Sequence, residues 1–247
     1  MKMKQNVLIS GASRGLGYSI AQKLATKGFR LILTGRSAQS LNTAVSRLTN
    51  ASEHIPLELD LIEPDSIDRL MNTLSQCDVV PNIIIHSLGG KVAGDCHPLN
   101  VDILRESMSL NLEVAVKINN AFIPLMRNRA SGTIIHISSD AAITANAAPA
   151  YSIAKAALNA YVLNVARNYI KDNIVIFGVL PGIFEHSDSV WSEKKNSNPE
   201  YYRSKVQNMP LGRFMRVDEV SEVISMLCSV NSIAMCGSLI KLNGSAP

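Results

Sequence analysis

The sequence contains no closely spaced cysteine pair that could bind a metal ion or form a redox motif. Its four cysteines lie far apart, and none has a histidine partner at the spacing of metal ligands; they are Cys77, Cys96, Cys228 and Cys236. We therefore predict free thiols, no metal site and a cytoplasmic location, where thiols stay reduced.

Long apolar runs and long basic runs are also absent. The N-terminal segment reaches only four strand-like residues, 7–10, before a glycine follows, which is too short for a signal peptide or a membrane span. The net charge is only +4, from 24 basic and 20 acidic residues, and no long run of Lys or Arg occurs. We therefore expect neither a membrane nor a nucleic acid as a partner.

Apolar, strand-like runs alternate with segments of helical periodicity along the whole chain. The runs cover residues 6–10, 30–34, 54–59, 82–86, 133–138, 173–180 and 238–242. They are rich in Val, Ile and Leu, which is typical of parallel strands covered on both faces. With 247 residues, of which 47% are hydrophobic, the sequence predicts one α/β domain over 1–247, a doubly wound seven-stranded parallel sheet with helices on both faces.

A polar stretch at about 183–209 interrupts this alternation and carries Trp191, Tyr201 and Tyr202. Ligands of open α/β sheets bind beyond the carboxyl ends of the strands, and long loops in compact domains are usually functional or disordered. The stretch is therefore either a substrate loop or a mobile surface excursion.

A glycine-rich turn joins the first strand to the first helix. Its glycines follow the pattern Gly11-x-x-x-Gly15-x-Gly17, with Ser13, Arg14 and Leu16 between them. Because glycine lacks a Cβ, such a turn lets backbone amides and a helix N-terminus approach a pyrophosphate closely. The position between strand and helix predicts a dinucleotide site.

Acidic residues are missing from the first 52 positions, where an NAD-binding protein would place a carboxylate on the ribose hydroxyls. The second predicted strand instead ends in Gly35-Arg36. Arg36 and Arg14 can contact a 2′-phosphate, so we predict NADP(H) as the cofactor. Asp60 stands at the end of the third strand and either meets the adenine or caps the helix that begins near Pro64.

Tyr151 and Lys155 lie four residues apart, and therefore on one face of a predicted helix, just after Pro149. A charged lysine beside a phenol would lower the pKa of that phenol. Spacing alone proves little, because Tyr201 and Lys205 share it. Only the first pair follows a buried strand that ends in hydroxyls, at Ser138 and Ser139, which favours a catalytic role for it.

These motifs together resemble the short-chain dehydrogenase/reductase family, and in particular its 3-oxoacyl-[acyl-carrier-protein] reductase type. The matching residues span nearly the whole chain: Gly11, Gly15, Gly17, Asp60, Asn111, Ser139, Tyr151, Lys155, Pro181-Gly182 and 210–214. The resemblance implies a Rossmann fold and a catalytic tetrad of Asn111, Ser139, Tyr151 and Lys155. It also implies cofactor contacts from Leu61, Gly89, Tyr151, Lys155, Pro181, Gly182 and Ile183.

In this scheme Tyr151 donates a proton to a carbonyl oxygen while NADPH delivers hydride to the carbon, and Ser139 hydrogen-bonds the same oxygen. Lys155 lowers the pKa of the tyrosine and holds the ribose, and Asn111 anchors a water that supplies protons to Lys155. Read without the resemblance, Asn111 could be a local hydrogen-bonding residue of a regular helix, and Ser139 a strand-end turn former.

The sequence departs from the family pattern at three places. His86-Ser87-Leu88-Gly89 replaces Asn-Asn-Ala-Gly, and we interpret His86 as a plain strand-end histidine rather than a substitute for the asparagine's hydrogen bonds. A His-Ser pair also occurs in enoyl reductases of the superfamily, but those have a longer Tyr-to-Lys spacing. Ser139 lies one residue closer to Tyr151 than is usual in the family, so Ser138 is the alternative catalytic serine. After Pro181-Gly182, Glu185-His186 stand where the family usually has a threonine.

The leading interpretation is an NADPH-dependent carbonyl reductase, with 3-oxoacyl thioesters as the favoured substrates. One alternative is an oxidoreductase of sugars or secondary metabolites; another is an NADP-binding regulatory protein without catalysis. Arg127 and Arg129 could meet an acidic acyl carrier protein or could form a solvated face. The resemblance further implies a homotetramer, or a homodimer, through the helices around 101–127 and 151–170.

Overall fold

A seven-stranded parallel sheet forms the centre of the computed structural model, which describes residues 4–187, 189–230 and 233–246. Its strands are β1 (Asn6–Ser10), β2 (Arg30–Gly35), β3 (Ile55–Glu58), β4 (Ile83–His86), β5 (Gly132–Ile137), β6 (Ile174–Pro181) and β9 (Leu239–Leu242). Two short strands, β7 (Phe184–Glu185) and β8 (Met215–Arg216), form a separate small sheet. The sheet order is β3-β2-β1-β4-β5-β6-β9, and every pairing is parallel. The predicted doubly wound sheet is confirmed, and its strand order reverses between β1 and β4, the point where such sheets bind ligands.

Helices cover both faces of this sheet. They are α1 (Gly15–Thr26), α2 (Ala38–Ser46), α3 (Ser66–Gln76), α4 (Val101–Met108), α5 (Val114–Asn128), α6 (Ala141–Thr144), α7 (Pro149–Tyr169), α8 (Val190–Ser197), α9 (Pro199–Gln207) and α10 (Val217–Ser229). Apolar residues of α1, α2 and α10 pack on one face, and those of α3, α5 and α7 pack on the other. In the part of the chain that the structure describes, no helix is long and apolar enough to span a bilayer.

Successive residues of the central strands point into opposite cores. Val7 and Ile9 of β1 belong to the core beneath α1, whereas Leu8 between them belongs to the core beneath α5. Because both faces are buried, both sets of side chains must be apolar, and the strands show no polar alternation. The four cysteines are free thiols, as the sequence predicts.

The stretch at 183–209 is not an irregular loop. It contains β7, α8 and α9, with position 188 outside the described residues, and β7 pairs in parallel with β8. Ser189 caps α8 and Asn198 caps α9 through side-chain oxygens. We call residues 184–216 the cap segment. The two-stranded sheet of β7 and β8 joins the two ends of this segment.

Aromatic rings hold the cap segment together. Trp191 stacks on Tyr201 with 6.1 Å between ring centroids and lies 4.8 Å from the ring of Phe214. Tyr202 meets Phe214 edge to face at 5.2 Å. The three aromatic residues that marked the stretch in the sequence therefore pack on one another and on Phe214, rather than marking a structureless excursion.

Replacing Phe122 with alanine should destabilise the protein strongly. Phe122 lies on α5, is only 1% exposed, and fills the core between that helix and the sheet. Phe122→Ala leaves a cavity, and we expect the free energy of unfolding to fall by about 3–5 kcal/mol in urea denaturation. Met226→Ala is the matched control, because Met226 is 52% exposed on α10 and should change stability by less than about 0.5 kcal/mol.

Candidate active site

The glycine-rich turn packs too tightly to carry a side chain at Gly11 or Gly17. Gly11 has a φ of +69°, and a Cβ built on it would lie 2.9 Å from the Cα of Leu88. A Cβ on Gly17 would collide with the carbonyl oxygen of Gly11. Since α1 begins at Gly15 with no side-chain cap and no acidic residue in its first turn, its N-terminal amides and positive dipole end fit a dinucleotide phosphate.

Two arginines flank this turn. Ser13 lies beside Gly35, since a Cβ built on Gly35 would be 3.4 Å from the Cβ of Ser13. Arg14 and Arg36 directly follow these two residues and therefore lie at the same edge. Both arginines are exposed, and among the described residues neither forms an ion pair. Their guanidinium groups fit a 2′-phosphate.

One carboxylate does lie at the edge that carries Arg14 and Arg36. The sequence predicted none there, because the first 52 positions contain no acidic residue. Glu58 of β3 is the register partner of Gly35, and its Oε1 accepts a hydrogen bond of 3.1 Å from the amide of Ala38. Glu58 therefore lies close to Arg36. Counting acidic residues along the chain could not find it, because it arrives from the neighbouring strand.

Asp60 and Leu61 follow β3 at the carboxyl edge of the sheet. The Oδ1 of Asp60 accepts a hydrogen bond of 3.2 Å from the amide of Ile62, so the side chain stabilises its own turn. The suggestion that Asp60 caps the next helix is wrong, because α3 begins at Ser66 and its N-cap is Asp65. Leu61 is buried beneath this turn.

Tyr151 lies in the first turn of α7, which begins at Pro149 as the sequence predicts. Lys155 is 3% exposed, and its Nζ donates a hydrogen bond of 2.8 Å to the carbonyl oxygen of Ile137 at the end of β5. The Nζ atom also lies 5.8 Å from the centroid of the Tyr151 ring. The tyrosine, the lysine and the end of β5 therefore meet at one point.

The control pair shows that spacing does not make a site. Lys205 Nζ lies 5.5 Å from the ring centroid of Tyr201, which is as close as in the first pair. Tyr201, however, is 39% exposed and stacks on Trp191 in the cap segment. Burial and the neighbouring strand end, rather than the four-residue spacing, distinguish Tyr151 and Lys155.

The two serines after β5 point to different partners. Ser138 is buried, and its hydroxyl donates to the backbone carbonyl oxygen of Lys155 at 3.3 Å. The Ser139 hydroxyl accepts a hydrogen bond of 3.2 Å from the amide of Ala141 and lies near enough to the Tyr151 hydroxyl to lower the pKa of that phenol. The geometry therefore places Ser139, not Ser138, beside the phenol.

Asn111 does not lie in a regular helix but in a π-helical turn, Ser109–Glu113, between α4 and α5. Its Oδ1 accepts from the amide of Gly90 at 2.9 Å, and its Nδ2 donates to the carbonyl oxygens of Gly90 and Ser107 at 3.0 and 2.9 Å. A Cβ built on Gly89 would lie 2.7 Å from the Oδ1 of Asn111 and 3.0 Å from the Nζ of Lys155. Asn111 and Lys155 thus converge on Gly89, at a π-turn of the kind that is frequent at functional sites.

Burial dominates the electrostatics of the site. It raises the pKa of Tyr151, and the hydrogen bond from Ser139 opposes this rise. Burial also lowers the pKa of Lys155 to about 8. The expected lowering of the tyrosine pKa by the lysine is therefore not seen in the protein alone, because the surroundings disfavour both charged forms.

His86 is not a plain strand-end residue. Its Nε2 forms a hydrogen bond of 2.8 Å with the Oδ1 of Asn119, and its ring stacks on that of His136 with 4.5 Å between centroids. Asn119 also donates to the Nε2 of His136 at 3.2 Å and to the hydroxyl of Tyr161 at 3.1 Å. Burial lowers the pKa of His86 to about 4, so this polar cluster beneath the site is neutral.

The segment Pro181-Gly182-Ile183 continues β6 into the cap segment. Gly182 fits tightly against Asn243, since a Cβ on it would lie 2.8 Å from the Cβ of that residue. His186 follows, and its Nε2 lies 3.3 Å from the position of a Cβ on Gly15. The structure therefore brings His186, whose role the sequence left open, to the glycine-rich turn.

Sequence reasoning missed Asp95, a buried residue whose carboxylate contacts the N-terminus of α7. It also missed the cluster around Asn119. Neither has a spacing motif: their partners lie 55 and 33 positions away in the chain. A lone acidic residue in a glycine-rich connection is the only signal that Asp95 gives.

Replacing Lys155 with methionine should stabilise the protein at neutral pH. The folded-state pKa of Lys155 is about 8 against an ordinary value of 10.5, so below pH 8 the folded state holds a desolvated charge. Between pH 8 and 10.5 the unfolded chain binds more protons, and the stability of the wild type rises with pH. We expect Lys155→Met to gain on the order of 1–3 kcal/mol in urea denaturation at pH 7, and less at pH 10.

The exposed residue Lys171 provides the control for this prediction. Lys171→Met should change stability little at either pH. A gain for Lys155→Met that is equal at pH 7 and pH 10 would contradict the assignment of the effect to a buried charge.

Comparison with known proteins places this geometry in a family. The family model described as enoyl-(acyl carrier protein) reductase matches residues 11–244. The 3-oxoacyl-[acyl-carrier-protein] reductase of Aquifex aeolicus is 28% identical over 244 residues, which is 96% of this chain and 95% of that protein. A tropinone reductase homolog of Arabidopsis thaliana is 26% identical over 240 residues, covering 96% of this chain and 88% of that protein.

Solved structures share the fold. L-sorbose reductase from Gluconobacter frateurii, crystallised with NADPH and L-sorbose, superimposes with a TM-score of 0.89 at 24% identity, covering 98% of this chain and 96% of that chain. A 3-oxoacyl (acyl-carrier-protein) reductase from Agrobacterium tumefaciens with NADP bound gives a TM-score of 0.88 at 24% identity, covering 97% and 93%. With the family model spanning almost the whole chain, the protein belongs to the short-chain dehydrogenase/reductase family of oxidoreductases.

Proposed function

We propose that the protein is an NADPH-dependent reductase that converts a carbonyl group to a secondary alcohol. The observation that carries the proposal is the meeting of Tyr151, Ser139 and Lys155 at the end of β5, beside Asn111. This point lies at the carboxyl edge of the sheet, the same edge as the glycine-rich turn.

The chain offers a complete set of cofactor contacts. The turn from Gly11 to Gly17 and the N-terminus of α1 would hold the pyrophosphate, and Arg14 and Arg36 would hold a 2′-phosphate. Asp60 and Leu61 lie at the edge where the adenine would rest, and residues 181–183 lie at the opposite end. The solved relatives named above contain NADPH or NADP, which supports the same cofactor here.

The protein's own groups would handle the proton. A reduced nicotinamide, when bound, would supply hydride chemistry at the carbonyl carbon, and Tyr151 would donate its hydroxyl proton to the carbonyl oxygen, so that an alcohol would form. The raised pKa of Tyr151 keeps the phenol protonated and ready to donate at neutral pH. Ser139 would stabilise the carbonyl oxygen as negative charge develops on it. Lys155, which lies beside Asn111, would then donate a proton to the tyrosinate.

We favour 3-oxoacyl thioesters as substrates. The Aquifex relative with this activity in its name aligns over nearly the whole of both chains, and the cap segment offers an aromatic cluster for an acyl chain. A ketose is the second candidate. Burial and the neighbouring carboxylate of Glu185 raise the pKa of Tyr202 in the cap segment to about 12. The Oε1 of Glu185 has no hydrogen-bond partner among the described residues and could accept a sugar hydroxyl.

An acyl carrier protein finds little support at Arg127 and Arg129. Arg127 forms an ion pair of 3.1 Å with Asp172, and Arg129 donates a hydrogen bond of 2.6 Å to the carbonyl oxygen of Pro81. Pro81 precedes β4, so this arginine lies at the amino edge of the sheet, opposite the candidate active site. Assembly into a homotetramer or homodimer stays part of the proposal, supported by Ile153 and Leu163, which are each 45% exposed on α7.

Tyr151→Phe should slow reduction strongly without preventing cofactor binding. The phenylalanine keeps the ring but removes the proton donor, so we expect the kcat of NADPH oxidation to fall by about 10²–10⁴-fold. A panel of 3-oxoacyl thioesters, quinones and keto sugars, assayed with NADPH and NADH, would identify the substrate. If the wild type binds NADPH but reduces no ketone of this panel, the regulatory interpretation replaces the enzyme.

Arg36→Ala should weaken NADPH binding selectively. Because Arg36 would contact only the 2′-phosphate, we expect the Kd for NADPH, measured by fluorescence titration, to rise about 10–100-fold and the Kd for NADH to change less than threefold. Glu58→Gln is the matched variant at the same edge. It removes a repelling charge, so it should tighten NADPH binding a few-fold; equal changes for both cofactors would contradict the assignment of this edge.

A further inference from the structure

Asp95 is a buried carboxylate that the tetrad does not use. It lies in the connection between β4 and α4, residues 87–100, and is only 2% exposed. Its Oδ1 accepts a hydrogen bond of 2.8 Å from the amide of Ala150, and its Oδ2 accepts one of 2.9 Å from the amide of Tyr151. One oxygen therefore holds the backbone amide of Tyr151, and the other holds that of the residue before it.

These two bonds replace the ordinary cap of α7. The helix begins at Pro149, which has no amide proton, and the preceding residue, Ala148, forms no side-chain cap. The amides of Ala150 and Tyr151 are thus the first free donors of the helix, and Asp95 satisfies both from 55 positions away. Such charge-assisted bonds at a helix N-terminus are stronger than neutral ones.

The negative charge of Asp95 has no other compensation in the described ranges. No Lys or Arg nitrogen there lies within ion-pair distance of it. Burying a carboxylate is costly unless hydrogen bonds satisfy it. The stability of this arrangement therefore depends on α7 presenting its two amides at this place.

The same connection also touches two other members of the proposed tetrad, Asn111 and Lys155. Gly90 exchanges hydrogen bonds with the side chain of Asn111, and Gly89 lies against both Asn111 and the Nζ of Lys155. Val92, between these glycines and Asp95, is buried. One short piece of chain is thus fixed at Asn111 on one side and at the amide of Tyr151 on the other.

We propose that Asp95 is a positioning residue that sets the place of the Tyr151 hydroxyl relative to Ser139 and Lys155. This inference rests on the proposed reductase function. A misplacement of about 1 Å can cost two orders of magnitude in rate, so the loss of either bond to α7 should appear in kcat. Cofactor binding should be spared, because Asp95 contacts neither the glycine-rich turn nor Arg36.

Asp95→Asn is the sharpest test. Asparagine keeps the shape and one acceptor, but its NH₂ group then faces an amide N–H, so one bond is lost. We expect kcat for ketone reduction to fall about 10–100-fold, while the Kd for NADPH stays within threefold of the wild type. Asp95→Ala, with no acceptor, should lose more than Asp95→Asn. In protein labelled with ¹³C at the tyrosine ring, the resonance assigned by Tyr151→Phe should shift in both variants.

Asn100→Ala is the matched control. Asn100 caps α4 by accepting a hydrogen bond of 2.7 Å from the amide of Asp102, so its loss removes a cap from the same connection without touching α7. Its kcat and the Tyr151 resonance should match the wild type. If Asn100→Ala and Asp95→Asn lose kcat equally, Asp95 merely stabilises the connection and the proposal is overturned.

The remaining outcomes are also decisive. Should Asp95→Asn fail to fold, Asp95→Ser leaves a small polar side chain without a buried charge; its single hydroxyl is shorter and cannot hold both amides, so this variant should fold with a lowered kcat. A kcat within twofold of the wild type in that variant would overturn the proposal. A wild type without any ketone reductase activity would instead show the failure of the proposed function, and the ring resonance would then still report whether Asp95 positions Tyr151.

Discussion

The hydrogen bond from Lys155 to the carbonyl oxygen of Ile137 is the interaction on which the candidate site depends. This bond ties the second turn of α7 to the end of β5. Lys155 is buried there, so water does not screen its ammonium group. The low pKa of this lysine and the raised pKa of Tyr151 have the same origin, because burial disfavours a charge on either. Near neutral pH the phenol therefore stays protonated, whereas the ammonium group of Lys155 gives up its proton more easily than an ordinary lysine.

Polar groups beneath this point are arranged to stay uncharged. His86 and His136 are register partners on β4 and β5, and Asn119 satisfies one nitrogen of each ring. A second cation next to Lys155 would be costly, and burial keeps both imidazoles neutral. The histidine that departs from the family pattern thus supplies a hydrogen-bonded link between the sheet and α5, which a hydrophobic residue could not supply.

The connection from β4 to α4 contacts Asn111 and Lys155 of the proposed tetrad as well as the N-terminus of α7. At its start Gly89 fits closely against Asn111 and Lys155, since a Cβ on Gly89 would lie 2.7 Å from the Oδ1 of Asn111, and further along Asp95 binds the N-terminal amides of α7. The π-helical turn at 109–113 allows Asn111 to reach this connection while α4 and α5 continue on either side. The backbone amides of Gly90, Ala150 and Tyr151 lie outside the hydrogen-bond pattern of helices and strands. They pair instead with the side chains of Asn111 and Asp95, and these bonds help to assemble the candidate site.

The sequence by itself determined the sheet, the glycine-rich turn and the helical position of Tyr151 and Lys155, because these follow from local periodicity and from glycine, proline and spacing patterns. It did not determine the order in which strands lie side by side, and so it missed Glu58 near Arg36. The sequence favoured Tyr151 over Tyr201 because of the strand before it, and the family resemblance favoured Ser139 over Ser138. Only the tertiary structure gave the physical difference within each pair, which is burial for the tyrosines and the choice of partner for the serines. The role of Asp95 was likewise decided in space: its two partners are 55 and 56 positions away, and no local pattern encodes contacts over such distances.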